Sequence, residues 1–212
     1  MINEKEILDL LEKKEAVITN SHIVYTSGRH GSTYFNKDAI YPHTHEVSKI
    51  CLAIAEHFIH KDIQAVVAPA IGGVILSQWI AFHLSQLTGM EVLALYAEKA
   101  EDNTSFILKR GYDKLIKGKN VLVVEDVLTT GNSAKKVVEA AKKAETHIVG
   151  VAVLCNRGKV NKKDLGDVPK LFSLIDIDLE SWDEDSCPLC EQGIPVNMSV
   201  GKGREFLLKK KS

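Results

Sequence analysis

Short, continuously apolar runs dominate the hydrophobic pattern of the chain, and segments with helical periodicity separate them. The runs cover residues 63–68, 92–96, 121–124, 148–154 and 171–177. Continuous rather than alternating apolar residues are typical of strands that are buried on both faces of a parallel sheet. Apolar residues at helical spacing follow at about 45–60, at 74–87 and again after residue 133. This alternation predicts an α/β fold with a central parallel sheet flanked by helices.

The two ends of the chain differ from this pattern. A first helix is predicted where Asn3 can cap the start and Ile7, Leu8 and Leu11 form one apolar face. Short strands are predicted around the turn at 27–32, and residues 178–212 are acidic, then rich in Cys, Gly and Pro, then basic. We therefore expect a single domain over residues 1–212, with a core at about 45–177. A small hood would be formed by about 1–44 plus 178–212.

Composition excludes several classes of function. The 212 residues include 27 Lys and Arg against 28 Asp and Glu, so no global positive field favours a nucleic-acid partner. No apolar run reaches the ~18–20 residues that cross a bilayer, and the N-terminus lacks the features of a signal peptide. We therefore expect a cytoplasmic protein with no membrane or nucleic-acid partner. Its four cysteines are then expected to be thiols or metal ligands rather than structural disulfides.

Residues 121–133 carry the strongest chemical signal. A predicted strand ends at Glu125 and Asp126, and a turn rich in hydroxyl groups leads into a helix. Backbone N–H groups at a helix start bind anions, and Thr129, Thr130 and Ser133 can add hydroxyl donors. The carboxylates would repel a phosphate, so their partners are neutral hydroxyls or a cation. Together these features predict a site for a ribose phosphate.

This segment resembles the signature of type I phosphoribosyltransferases, which use 5-phosphoribosyl-1-diphosphate (PRPP). No P-loop and no Rossmann glycine motif offers an alternative phosphate site. The resemblance implies that Glu125 and Asp126 hold the ribose 2′- and 3′-hydroxyls, that Mg²⁺ is a cofactor and that the protein is a homodimer. It also implies a 5′-phosphate site made of Thr129, Thr130, Gly131, Asn132 and Ser133.

The small-residue turn at 67–74 resembles the diphosphate-binding loop of the same family. In that loop, backbone amides of residues such as Ile71 and Gly72 face the leaving diphosphate. Because the turn lies one strand-helix unit upstream of 121–133, the two segments are expected at the same edge of the sheet.

Residues 26–36 resemble the base-binding segment of orotate phosphoribosyltransferases, with 27–29 and 34–36 matching in order. The resemblance implies that Arg29 meets the orotate carboxylate and that Tyr34 or Phe35 stacks on the ring. The implied reaction converts orotate and PRPP to orotidine 5′-phosphate and diphosphate, a pentosyl transfer in pyrimidine biosynthesis.

The chain departs from the orotate pattern at two places. Thr26 stands where these enzymes usually carry a Lys. Within the mobile loop, Lys99 matches one lysine, but the Arg, the second Lys and the His have no counterpart. Lys109 and Arg110 lie further along and could supply the missing positive charge. The resemblance implies Lys99 and Asp126 as catalytic residues, with closure of the 97–110 loop excluding water.

Cys187 and Cys190 form a Cys-x-x-Cys pair near the C-terminus. Such a pair supplies two of the four ligands of a structural zinc site, and no second paired motif supplies the rest. A metal site, a redox-active pair and a plain turn all remain open, while Cys51 and Cys155 fit a core position.

Two other functions remain open beside orotate transfer. One is a PRPP-dependent transferase for another base, such as a purine, which Tyr34 and Phe35 disfavour. The other is a non-catalytic regulator that senses PRPP. A regulator needs an output module, and about 60 residues without a basic recognition helix precede the sheet.

Overall fold

Helices and strands alternate along the part of the chain that the computed structural model describes, residues 4–25, 27–101, 104–177 and 180–210. The helices are α1 (Glu4–Lys13), α2 (Thr44–Phe58), α3 (Val74–Thr88), α4 (Tyr112–Leu115), α5 (Asn132–Lys143), α6 (Pro188–Glu191) and α7 (Gly203–Lys210). The strands are β1 (Val17–Ile18), β2 (Ile23–Val24), β3 (His30–Gly31), β4 (Tyr34–Phe35), β5 (Ala65–Pro69), β6 (Leu93–Lys99), β7 (Phe106–Ile107), β8 (Asn120–Leu128), β9 (His147–Asn156), β10 (Leu171–Asp176) and β11 (Ser181–Trp182). Short 3₁₀ helices lie at Lys37–Ala39 and Glu184–Ser186. None of these helices is long and apolar enough to cross a membrane.

The chain divides into two compact units, a larger one of residues 1–7 and 43–177 and a smaller one of residues 8–42 and 178–212. The larger unit carries a six-stranded sheet in the order β10-β9-β8-β5-β6-β7. All neighbouring strands in it are parallel except β6 and β7. The predicted α/β fold with a central parallel sheet is therefore confirmed.

Both faces of the sheet are covered by helices. Val67, Val123 and Val151 belong to one buried cluster with residues of α5. The alternate strand residues, such as Val66 and Leu122, are also fully buried, and they point to the opposite face. Helix α3 contacts β5 and β6 there and packs on α2. Burial on both faces explains why these strands read as unbroken apolar runs.

The structure corrects two features of the predicted pattern. The strand predicted at 121–124 continues to Leu128 as β8, so Glu125 and Asp126 lie within it rather than after it. Its extension pairs with β9, for example Glu125 with Val153, so ladder bonds hold the polar residues extended. The second correction concerns the loop predicted at 97–110, which contains the two-residue strand β7 and is followed by the single-turn helix α4.

The smaller unit is built from very short strands. Strands β1 and β4 pair antiparallel, and β11, β3 and β2 form a second antiparallel sheet. Strand β3 joins β2, from the N-terminal part of the chain, to β11, from the C-terminal part. The short strands predicted around the turn at 27–32 are therefore present.

Candidate active site

A topological switch lies between β5 and β8 in the larger unit. From β5 the chain proceeds to β6 on one side, and from β8 it proceeds to β9 on the other side. Ligands of open parallel sheets bind outside the carboxyl ends of the strands at such a point. Since β5 and β8 are parallel neighbours, the turns that follow them lie at the same edge of the sheet. Both turns lead directly into helices, α3 and α5.

The turn after β8 forms a cleft at the start of α5. The first bond of the helix runs from Lys135 N–H to the Gly131 carbonyl at 2.9 Å, so the preceding N–H groups have no partner four residues earlier within the helix. The cleft has a volume of about 120 Å³, several times the space that one water molecule needs. It is lined by Glu125 and by residues 127–134, a set that includes the predicted Thr129, Thr130, Gly131, Asn132 and Ser133. The positive end of the helix dipole favours an anion in this cleft, which is where the sequence predicts the 5′-phosphate.

Gly131 is required at the N-terminus of α5 for two reasons. Its φ of +76° lies in the left-handed region, which residues with a Cβ rarely adopt. A Cβ added there would lie 2.9 Å from side-chain carbons of both Leu165 and Val160. Glycine therefore sets the close approach of the turn to these two side chains.

Arg157 and Gly158, which the sequence pattern did not single out, support the same turn. Both backbone N–H groups donate to the Leu128 carbonyl, at 3.0 and 3.1 Å, and Arg157 Nε donates to Thr129 Oγ1 at 2.9 Å. A Cβ on Gly158 would overlap the Thr129 carbonyl. In the sequence, these two residues could have been recognised from the Asn-Arg-Gly motif that begins at the last residue of β9, the strand next to β8. Arg157 thus brings a positive charge to the anion site and orients one of its hydroxyls.

Glu125 and Asp126 are nearly buried, with 6% and 5% of their surface exposed. Glu125 Oε1 accepts the Asp126 N–H at 3.0 Å, and Asp126 Oδ1 accepts the Val127 N–H at 2.7 Å. Each carboxylate has two oxygens, so a bond to a neighbouring peptide is compatible with accepting a substrate hydroxyl. The structure brings Glu125 into the lining of the anion cleft, with Asp126 next to it in the strand.

The predicted diphosphate turn follows β5 at the same sheet edge. The Ala70 N–H donates to the Ala97 carbonyl at 2.8 Å, which ties the turn to β6, and the Ala70–Ile71 peptide bond is cis. Ile71 is 87% exposed, whereas Gly73 is buried with space for no side chain, since a Cβ would lie 2.8 Å from Ala68 Cβ. Gly72 lies between them, ahead of the start of α3. The turns after β5 and β8, which the sequence predicts to bind the diphosphate and the 5′-phosphate, therefore lie at the same edge of the sheet.

The predicted cations cluster at the β6–β7 hairpin. Lys99 ends β6, is exposed and pairs in the ladder with Phe106. Lys109 and Arg110 both form ion pairs with Glu98, at 3.5 and 3.1 Å. The Glu98 hydrogen bond raises the pKa of Arg110 above its usual value. Part of the 97–110 segment is thus a paired hairpin rather than an open loop, and residues 102–103 lie outside the described residues.

The predicted base-binding residues lie in the smaller unit. Arg29 Nη1 donates to Asp183 Oδ1 at 2.9 Å, and Arg29 Nε donates to Ser181 Oγ at 3.0 Å. Phe35 is buried and Tyr34 is half-buried, so Tyr34 is the ring of the pair that solvent reaches more readily. Thr26 lies outside the described residues.

The four cysteines are all free thiols. Cys51 and Cys155 are buried in the larger unit, and burial raises the pKa of Cys155 to about 12 and raises that of Cys51 as well. Neither thiol is therefore ionised at neutral pH, in agreement with a core position. Cys187 and Cys190 lie in the smaller unit.

Comparison with known proteins supports one chemistry for this site. Residues 36–186 match the phosphoribosyl transferase domain family. The chain is 36% identical over 195 residues to an orotate phosphoribosyltransferase of Desulforamulus reducens. The aligned region covers 92% of this chain and 95% of that protein.

Solved structures show the same fold. The orotate phosphoribosyltransferase of Mycobacterium tuberculosis H37Rv in complex with PRPP has a TM-score of 0.61 at 21% identity, covering 82% of this chain and 95% of that one. An adenine phosphoribosyltransferase of Thermoanaerobacter pseudethanolicus has a TM-score of 0.59 at 14% identity, covering 79% and 99%. These two structures are named for different bases, orotate and adenine, so similarity of fold does not identify the base that a protein uses.

Proposed function

Because this chain belongs to the phosphoribosyltransferase family, with orotate phosphoribosyltransferases as its relatives, we propose that it transfers the phosphoribosyl group of PRPP to orotate. The products are orotidine 5′-phosphate and diphosphate, and the step belongs to pyrimidine biosynthesis. The observation that carries the proposal is the anion cleft at the start of α5 with Glu125 in its lining. That pairing of a phosphate site with a carboxylate suits a phosphorylated sugar.

Different residues at this edge of the sheet bind different parts of PRPP. The 5′-phosphate is held by Thr129, Thr130 and the N–H groups of residues 131–133, beside Arg157. Glu125 and Asp126 accept hydrogen bonds from the ribose hydroxyls. The amides of Ile71 and Gly72 face the diphosphate. Held at both ends, the ribose presents C1 to the incoming base, which lowers the entropic cost of the reaction.

Charge stabilisation is the main catalytic task. As the C1–O bond to diphosphate breaks, positive charge develops on the ribose ring and negative charge on the leaving group. Asp126 stabilises the ribose side through the hydroxyls that it holds, and Lys99 stabilises the leaving group. Lys109 and Arg110 add positive charge near the end of β6, although Glu98 offsets part of it.

Mg²⁺ fits the donors that this edge offers. Magnesium prefers oxygen ligands and usually binds through substrate phosphates together with one or two carboxylates. Glu125 lines the anion cleft and Asp126 follows it in β8, and both carboxylates are nearly buried. When bound with PRPP, the ion contributes neutralisation of the diphosphate charge.

A panel of bases tests the choice of orotate. We expect turnover of orotate and not of adenine, hypoxanthine or uracil when PRPP and Mg²⁺ are supplied, followed by absorbance and by diphosphate release. Turnover of another base without orotate would contradict the choice of base and leave the transferase itself standing. PRPP binding without turnover of any base would instead indicate a regulator.

Restoring the missing lysine should improve the use of orotate. One charge-assisted hydrogen bond is worth about 1.5–3 kcal/mol, so we expect Thr26→Lys to raise kcat/KM for orotate by about tenfold or more. Thr19→Lys adds the same charge at an exposed position of the smaller unit and should leave kcat/KM unchanged. Equal effects of both variants would mean that position 26 does not contact the base.

We also propose that the protein is a homodimer that packs through α3. This helix is apolar on both sides: Leu76 and Ile80 are buried, while Ile75, Phe82 and Leu87 are exposed. Large apolar side chains that are exposed together on one helix mark a surface that binds another protein. A second copy of the chain would cover the outer face.

Phe82→Glu is therefore expected to convert the dimer to a monomer in sedimentation velocity experiments, since a charge in a desolvated interface is costly. Leu115→Glu is a matched control, because Leu115 and Phe82 are each 48% exposed and only Phe82 lies on α3. A wild-type monomer with full activity would rule out the dimer. We also propose that the protein works in the cytoplasm, a reducing compartment, and the four cysteines, none of which is in a disulfide, support this proposal.

A further inference from the structure

Four potential metal-ligating atoms converge within the smaller unit. They belong to His22, His30, Cys187 and Cys190, and all lie within 4.8 Å of one another. Both histidines and Cys187 are buried, and Cys190 is half-buried. The sequence pattern singled out only the two cysteines, because the histidines lie more than 150 residues earlier in the chain.

The distances suit a tetrahedral centre. His22 Nε2 lies 2.8 Å from His30 Nδ1, 3.8 Å from Cys187 Sγ and 3.7 Å from Cys190 Sγ, and His30 Nδ1 lies 3.4 Å from Cys190 Sγ. Around zinc, with bonds of about 2.0–2.1 Å to nitrogen and about 2.3 Å to sulfur, tetrahedral geometry separates N and S ligands by about 3.6 Å and two nitrogens by about 3.4 Å. The three N···S distances agree with this geometry, and the two nitrogens need to separate by about 0.6 Å.

Local structure explains why the four side chains meet. His30 lies in β3, and His22 immediately precedes the antiparallel partner strand β2. Cys187 precedes α6 and Cys190 lies within it, and the Glu191 N–H donates to the Cys187 carbonyl at 3.1 Å. This tight turn directs both sulfurs to one side. The hairpin and the turn therefore each supply two ligands, the arrangement of many structural zinc sites.

Neighbouring groups orient the two imidazoles. His22 Nδ1 lies 2.7 Å from the Ile194 carbonyl, so it carries the proton, and the lone pair of Nε2 faces the other three ligands. Phe206 packs its ring edge-on against His30, with the centroids 4.8 Å apart. Among the described residues, His30 Nε2 has no hydrogen-bond partner, so the polar contacts of this ring are made by Nδ1. Hydrogen bonds alone serve the cluster poorly, since thiols are weak donors.

We propose that His22, His30, Cys187 and Cys190 bind one structural Zn²⁺ ion per chain. Two thiolates with two imidazoles in tetrahedral arrangement favour zinc. Four protein ligands leave no open position for substrate, so the site is structural rather than catalytic. The ion ties the N-terminal hairpin to the C-terminal segment in a unit whose strands are two residues long. Such small units commonly depend on metals or disulfides for stability.

Metal content and coordination of the whole protein provide the first test. Protein purified without chelators is expected to contain one zinc per chain by elemental analysis. X-ray absorption should then give two sulfur ligands at about 2.3 Å and two nitrogen ligands at about 2.0 Å. Replacement by Co²⁺ should produce the intense d–d bands of a tetrahedral thiolate site. Metal-free protein that also fails to bind Zn²⁺ or Co²⁺ after reduction would overturn the proposal.

Ligand variants provide the second test. Cys190→Ser and His22→Gln are expected to lose zinc and to unfold at a lower temperature, and chelators should no longer affect their stability. Cys155→Ala removes a buried cysteine of the larger unit and should keep its zinc. If the ligand variants fail to fold, the Co²⁺ spectrum of the wild type decides.

Counting thiols separates zinc from a disulfide. After unfolding with a chelator and without reductant, the zinc site predicts four reactive thiols per chain, one for each cysteine. Two thiols would show that Cys187 and Cys190 form a disulfide, and this result would overturn the proposal.

Discussion

Replacing Asp126 by Asn is expected to lower kcat/KM for PRPP by about tenfold to a hundredfold, because hydrogen bonds to a charged carboxylate contribute about 1.5–3 kcal/mol. The change removes the negative charge that we assign to the ribose hydroxyls. It keeps an oxygen that can accept the Val127 N–H, a bond of 2.7 Å in the structure. Asp126→Ala would remove that acceptor inside a buried strand and would mix a loss of stability with a loss of binding.

Steady-state kinetics and thermal unfolding of the same preparations separate the two effects. Glu139→Gln is a matched control, since it removes a carboxylate charge from an exposed position of α5. We expect it to leave both kcat/KM and the unfolding temperature unchanged. Full activity of Asp126→Asn would remove the assigned role of this carboxylate.

Gly131→Ala is expected to weaken PRPP binding severely and to destabilise the larger unit. An L-residue in the left-handed region costs about 1–2 kcal/mol, and crowding a packed site adds about 1–3 kcal/mol. The added Cβ would lie 2.9 Å from carbons of Val160 and Leu165, so the turn must move away from them. The N–H groups at the start of α5 would then no longer face one point.

Gly89→Ala isolates the steric part of this effect. Gly89 has nearly the same φ, +71° against +76°, but nothing lies within 4 Å of a Cβ added there. Both variants should lose stability through the backbone, and only Gly131→Ala should also lose affinity for PRPP by calorimetry. Equal PRPP affinities of the two variants would contradict a phosphate site at this turn.

The sheet was predictable because burial on both faces gives each strand an unbroken apolar run. The strands predicted at 63–68 and 148–154 correspond to β5 (Ala65–Pro69) and β9 (His147–Asn156). The end of β8 was predicted wrongly because Glu125 and Asp126 are polar. The strand continues through them, since its backbone hydrogen bonds to β9 do not depend on side-chain polarity. A two-residue strand such as β7 is too short to display a period.

The phosphate end of the candidate site could be predicted from the residues alone because those residues are contiguous. The phosphate turn, the carboxylates and the helix start all fall within 121–133, so one segment carries the whole signal. Arg157 reaches Thr129 across neighbouring strands, and His22 reaches Cys187 and Cys190 from the opposite end of the chain. Such groupings arise from strand pairing and packing, which local periodicity does not encode.

Product analysis tests the central claim most directly. The purified chain is incubated with PRPP, Mg²⁺ and orotate, and the consumption of orotate is compared with the products identified by mass spectrometry. We expect orotidine 5′-phosphate and diphosphate in equal amounts, each equal to the orotate consumed, and much less of both with Asp126→Asn. Intact orotate and PRPP after prolonged incubation with folded wild-type protein would contradict it.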